Sequence, residues 1–92
     1  MENVNKINFE LKDTIELMNS ADYKDRFKAE YLQIKIRYDK LHKMLVKYEA
    51  KTLDFELSCP INILQMQANY MREYLKQLEI RAEIEAIDLS QF

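Results

Sequence analysis

Ninety-two residues limit the chain to one domain, a size near the lower bound for burying a useful core, where self-association is a common remedy. Apolar residues at 48%, charged residues at 33% and a net charge of −2 are ordinary for a helical protein, and no apolar run approaches the ~20 residues of a membrane span. Glycine is absent and proline occurs once, which argues against β-hairpins and phosphate-cradling loops and leaves helices joined by tight connections.

The opening stretch, MENVNKINFE, is neither basic nor continuously apolar, so no secretory leader is expected. Over 5–18, Ile7, Leu11, Ile15 and Met18 recur at helical spacing and predict a short amphipathic helix. It belongs to an N-terminal helical extension, residues 1–20. Asn19 or Ser20 offers an N-cap for the next helix, with Asp22 and Asp25 favourable at the positive end of its dipole.

That long helix is predicted over 21–50. Phe27, Tyr31, Ile34, Tyr38, Leu41, Leu45 and Tyr48 step by four and three in strict alternation, a heptad seam that calls for another long helix at a shallow crossing angle. Leu32 and Ile36 lie off the seam and predict a second contact face. The break comes at EAKTLDFELSCP, where Pro60 cannot continue a helix from before it. Pro60 suits the first turn of the next helix, with Ser58 or Cys59 at the cap, and Phe55 and Leu57 are expected to pin the loop to the core.

A second long helix is predicted over 60–87. Ile61, Leu64, Ala68, Met71, Leu75, Leu78 and Ala82 form its seam, so the two long helices should pair as an antiparallel hairpin. Ile63, Met66 and Tyr70 begin another stripe, and Ile80, Ile84 and Ile87 finish it. A two-helix hairpin cannot cover both sides of its own helix. The stripe is therefore expected to be covered by the first helix and by other subunits together. The expected fold is all-α: a single helical domain over 1–92, with a short N-terminal helix and a hairpin of two long helices, assembling as a homo-oligomer.

Charge is unevenly spread. Between Lys24 and Lys51 nine Lys or Arg stand against four acids, so this segment is +5 and the rest of the chain is −7. Such a helix faces either solvent, a small anion or an acidic partner. The single cysteine, Cys59, excludes an internal disulfide and suits a reducing cytosol.

Signatures of catalysis are nearly lacking. His42 is the only histidine and reads as a surface or boundary residue; Cys59 reads as a small loop residue. One of each is too few for zinc. Glu79, Glu83 and Glu85 read as a solvated face rather than a magnesium site. No dinucleotide-binding or phosphate-loop pattern occurs. The chain is expected to be no enzyme, with no cofactor and no metal.

Tyrosine and arginine are more informative. Both present flat faces to nucleobases, and Arg or Lys supplies charge for phosphate. Tyr31, Tyr38 and Tyr48 belong to the seam. Tyr23 lies off it and shares a face with Arg26 three residues on, at a helix end whose backbone N–H groups suit an anion. Arg37 and Lys40 form a second basic pair. Duplex nucleic acid fits poorly, because the basic surface is small and the last helix is acidic.

The segments RFKAEYLQIKIRYDKLHKML and CPINILQMQANYMREYLKQLEIRAEIEAIDL resemble small phage proteins of the crAss-phage-related type, over about residues 22 to 89. The shared pattern is Arg26, Glu30, Arg37 and Lys40–Leu41, then a proline-led loop and a helix with Leu64, Gln67, Met71, Tyr74, Leu78 and Arg81. That group is similar to the phage anti-CBASS sponges, helical hexamers that sequester cyclic oligonucleotide messengers and silence bacterial immunity. The resemblance implies a cyclic di- or trinucleotide ligand at subunit interfaces, a hexamer, and action in the host cytoplasm. It gives Tyr23 a base-stacking role, Arg37 or Lys40 the phosphate, and Arg72 a contact to cyclic trinucleotides. About twenty extra N-terminal residues depart from the shorter pattern. The leading expectation is thus a non-catalytic sponge. A sponge for the ADP-ribose-type signals of Thoeris immunity, or a module binding a protein through Ile80, Ile84 and Ile87, are the alternatives.

Overall fold

The structure, a computed structural model, describes residues 8–92. Among these residues every regular element is a helix, and no helix is long and apolar enough to cross a membrane. A 3-10 turn, Leu11–Thr14, runs directly into α1, Ile15–Met18. The long helices are α2, Tyr23–Glu49, and α3, Ile61–Glu85.

The first helix is shorter than its apolar spacing predicts. Glu10 is its extended cap, and the Glu10 N–H donates to the Asp13 carboxylate at 2.8 Å, half of a capping box that starts the turn at Leu11. Ile7, its first expected apolar residue, lies outside the described residues.

The expected cap of the long helix is also corrected. The cap is Asp22, not Asn19 or Ser20: its carboxylate accepts the Lys24 N–H at 2.9 Å. Ser20 instead braces the entry, donating its hydroxyl to Asp25 at 2.8 Å and accepting the Asp22 N–H at 3.1 Å.

Helices α2 and α3 pack as an antiparallel hairpin, with Tyr31 bonded to Glu79 and the Arg81 guanidinium 4.7 Å from the centroid of the Phe27 ring. Phe27, Tyr31, Leu75, Leu78, Ala82 and Ile87 form the main core. All but Ile87 come from the two seams, because each heptad position returns to the same side of its helix. Tyr48, the last seam tyrosine, is exposed near the loop.

The second face of α2 is real, and it decides where the first helix goes. Leu32 and Ile36 are buried, as is Ala29. The 3-10 turn and α1 pack on α2. Thr14, wholly buried, donates its hydroxyl to the Leu11 carbonyl at 2.7 Å and accepts from the Gln33 amide at 2.9 Å. This overturns the expectation that the first helix covers the outer stripe of α3. Two apolar faces competed for one short helix, and the α2 face holds it through Thr14 and Gln33.

Both long helices end in Schellman motifs. Thr52 donates to the Lys47 carbonyl at 2.9 Å, and Ile87 to the Ala82 carbonyl at 2.8 Å. The residue at the turn must take positive φ, which glycine adopts without strain; this chain has none and uses Lys51 (64°) and Ala86 (57°). The turn at Ala86 throws Ile87 back into the core, so Ile87 does not continue the outer stripe of α3. Leu89 and Phe92 follow it inward, and Phe92 packs edge-on to Phe9 at 5.2 Å between ring centroids. Two further expectations fail in the loop. Phe55 is exposed, whereas Leu57, the other residue expected to pin the loop, is half-buried, as are Leu53 and Cys59. Pro60 itself is the cap residue of α3, with extended ψ and no help from Ser58 or Cys59 side chains.

Candidate functional site

The residues singled out in the sequence fall into separate places. Tyr23 and Arg26 stand at the start of α2. The Arg26 guanidinium donates to the Ser20 carbonyl at 2.7 Å. Tyr23 is exposed and lies beside the Glu85 carboxylate at the end of α3; the loss of water around its ring and that carboxylate hold the phenol above its ordinary pKa. Glu85 in turn accepts from Arg81 at 2.9 Å, which holds its carboxyl below the usual range. Tyr74 donates to Glu30 nearby. The helix end thus carries two bonded pairs, Arg81 with Glu85 and Tyr74 with Glu30, and Tyr23 lies beside the first. Its backbone donors already face Asp22, a physical reason against a second anion binding there.

Arg37 is exposed on α2. It lies one heptad beyond Glu30 and two beyond Tyr23, hence along the same line of the helix. Arg72 is exposed on α3 and donates to Asn69 at 3.2 Å. Lys40 stands elsewhere, about 26 Å from Tyr23 at ~1.5 Å per residue. The five residues do not converge within one chain.

Lys40 does belong to a concavity. A cavity of about 370 Å³ lies between α2 and the segments at the two ends of the described chain. Lys35, Lys40 and Lys43 line it, with Asp39 as the one acid. Its apolar surfaces include Phe9 and Phe92, the edge-to-face pair. Lys35, Asp39 and Lys43 step by four along one line of α2, with Lys40 at its side, and the tail that turns at Ala86 brings Phe92. Lys35 and Asp39 are a loose pair at 3.9 Å and both are partly exposed, and three lysines against one carboxylate leave the lining positive. Cations beside aromatic walls can hold an anion that also has a flat face. The volume lies within the ordinary range for small-ligand sites.

Lys35, Lys43, Phe9 and Phe92 were missed in the sequence. The lysines were part of the +5 segment, but nothing in the spacing tells which of its cations share a cavity. The tail carried a weak signal: Ile87, Leu89 and Phe92 are apolar residues beyond the last seam position. His42 is exposed and stacks on Tyr38 at 5.7 Å, while Cys59 is half-buried in the loop. Among the described residues, no group of three or more His, Cys, Asp or Glu is placed to hold a metal ion.

Residues 21–84 match the model of a family described as Sequestin. The match covers well over half the chain, taking in all of α2 and all but the last residue of α3. No curated protein matches the chain, and no solved structure does.

Proposed function

The chain belongs to the Sequestin family, and on that footing we propose that it is a non-catalytic sponge that binds and sequesters a cyclic oligonucleotide second messenger. The family's name supports sequestration. The observation that carries the ligand class is the cavity beneath Lys35, Lys40 and Lys43 with Phe9 and Phe92 in its wall. Lysine ammonium groups meet phosphate, and an aromatic ring meets a base face. At about 370 Å³ the cavity suits one nucleotide of a cyclic ring, which leaves the rest of the ligand for a second copy of the chain.

Tyr23, Arg26, Arg37 and Arg72 do not line this cavity, so they take part only when a second copy brings them to it. A homo-oligomer, a hexamer by resemblance to the anti-CBASS sponges, is the assembly in which this happens. Sequestration needs no bond to be broken: tight stoichiometric binding lowers the free messenger below its receptor's threshold by mass action. A phage protein acting in the host cytoplasm to blunt immunity is the biological form of this reading.

The test is recovery of the ligand. The protein is mixed with cyclic di-AMP, cyclic di-GMP, a cyclic trinucleotide or a cyclic ADP-ribose, and the complex is desalted and heat-denatured. Stoichiometric release of an intact cyclic di- or trinucleotide supports the proposal. Release of an ADP-ribose-type ligand alone transfers the reading to Thoeris signals. A linearised product would make the protein an enzyme and end it.

A further inference from the structure

The outer face of α3 carries a second heptad seam, opposite the one that faces α2. Ile63, Met66 and Tyr70 lead it, Glu73 and Gln77 stand in the middle, and Ile80 and Ile84 end it. Steps of three and four alternate throughout. The buried residues Ala68, Leu75 and Ala82 lie on the other side of the same helix. The five apolar members are from 43% to 78% exposed, and Ile84 is the most exposed of them. The first helix packs on α2 and leaves this seam uncovered.

The pattern of the seam is self-complementary. In an antiparallel pair of heptad helices, a position of one type faces the other type across the dyad. In one register Met66 meets the second copy's Ile84, Tyr70 its Ile80, and Glu73 its Gln77. Apolar residues meet apolar ones at both ends, and a carboxylate meets an amide in the middle. Lys76 stands level with the same Glu73, which adds an opposite charge. Moving the helices by one heptad breaks the match either way, because Tyr70 then faces Glu73, or Gln77 faces Ile80.

Shape agrees with register. At the start of α3 an apolar groove of about 400 Å³ is lined by Ile63, Met66, Gln67, Tyr70, Met71 and Tyr74. Ile84 protrudes at the far end of the same seam. A two-fold axis near Leu75 places each copy's Ile84 at the other's groove, a knob for each hole. A symmetric patch that is complementary to itself is what a closed dimer requires.

We infer that α3 is a homodimer interface, with two copies antiparallel about a dyad near Leu75. This rests on the assembly part of the sponge reading and names its contact. The alternative, an unrelated protein docked on Ile80 and Ile84, gives no reason for the mirrored order of the seam. The dyad also sets Tyr74 of one copy close to Tyr74 of the other, beside the Glu30 carboxylate to which each donates.

Disulfide trapping tests the register. In the full chain with Cys59→Ser, one variant carries Met66→Cys with Ile84→Cys and a control carries Ile63→Cys with Ile80→Cys. Within one helix each pair is over ~25 Å apart at ~1.5 Å per residue, so a bond forms only between copies. Oxidation is expected to convert most of the first variant to covalent dimer and little of the control. Equal trapping in both, or trapping in the control alone, overturns the register. Sedimentation velocity without ligand tests the face: Ile84→Glu is expected to halve the mass of the assembly while helicity by circular dichroism stays unchanged. An unchanged mass, or a wild-type monomer at micromolar concentration, overturns the interface. Both readouts are taken without nucleotide, so a failure of ligand binding is seen separately.

Discussion

Tyr31→Phe separates a buried tyrosine's two contributions to stability. Tyr31 is 6% exposed, lies against Phe92, and donates its hydroxyl to the Glu79 carboxylate at 2.8 Å. Burial first, then the bond to Glu79, holds its phenol far above the ordinary value of 10.0. In the unfolded chain the phenol loses its proton near pH 10. Its folded pKa is raised, so its contribution is fully present below pH 10 and falls as pH climbs toward the folded value. The loss amounts to ~1.4 kcal/mol per pH unit above 10. Phenylalanine keeps the ring and the packing but cannot ionise. At pH 8 the variant should lose ~1–1.5 kcal/mol, a modest figure because Glu79 is exposed and water replaces the missing donor. Urea unfolding of both proteins at pH 8 and pH 11, followed by circular dichroism, yields a double difference in which other alkaline ionisations cancel. The expected result is ~1.4 kcal/mol more loss in the wild type. An equal loss in both proteins would refute a buried, neutral Tyr31.

Other perturbations reach the rest of the molecule. Leu78→Ala, at a core residue 2% exposed, should cost ~2–5 kcal/mol in the same urea assay, a large part of the ~5–14 kcal/mol expected for a chain this long. Ala86→Gly relieves a positive φ and should raise stability by ~0.5–1 kcal/mol, where a surface alanine to glycine inside α3 would lower it. Glu85 has a lowered pKa, so the support it gives to Arg81 is present above its unfolded value and fades as pH falls through its folded one; NMR titration of its carboxyl should show the shift in the wild type and lose it in Arg81→Gln. Lys40→Gln with Lys43→Gln should weaken cyclic nucleotide binding at least tenfold with an unchanged melting temperature, since both side chains are exposed.

The hairpin was legible because heptad spacing is a local property: Phe27 and Tyr31, or Leu75 and Leu78, declare their side of the helix without knowledge of the partner. Leu32 and Ile36 announced a second face for the same reason. What covers that face was not legible. Choosing between two apolar stripes for one short helix depends on Thr14 and Gln33, nineteen residues apart, finding each other. The tail was missed because its path turns on one backbone angle at Ala86, a position where glycine would have marked the turn. The cavity was hidden for a related reason. Its lysines lie within one helix, but Phe9 and Phe92 reach it from opposite ends of the chain. The place of Tyr23 off the seam suggests an open platform, and spacing gives no hint that Glu85 lies beside it.

The most direct test of sequestration is native mass spectrometry of the wild type and of Lys40→Gln with Lys43→Gln, each with a mixed panel of cyclic di- and trinucleotides. The wild type should appear as an oligomer that gains discrete intact ligand masses, in fixed ratio to its subunits, and the double variant as the same oligomeric mass with none. A wild-type assembly that takes up no ligand, or a variant that takes up as much as the wild type, would contradict it.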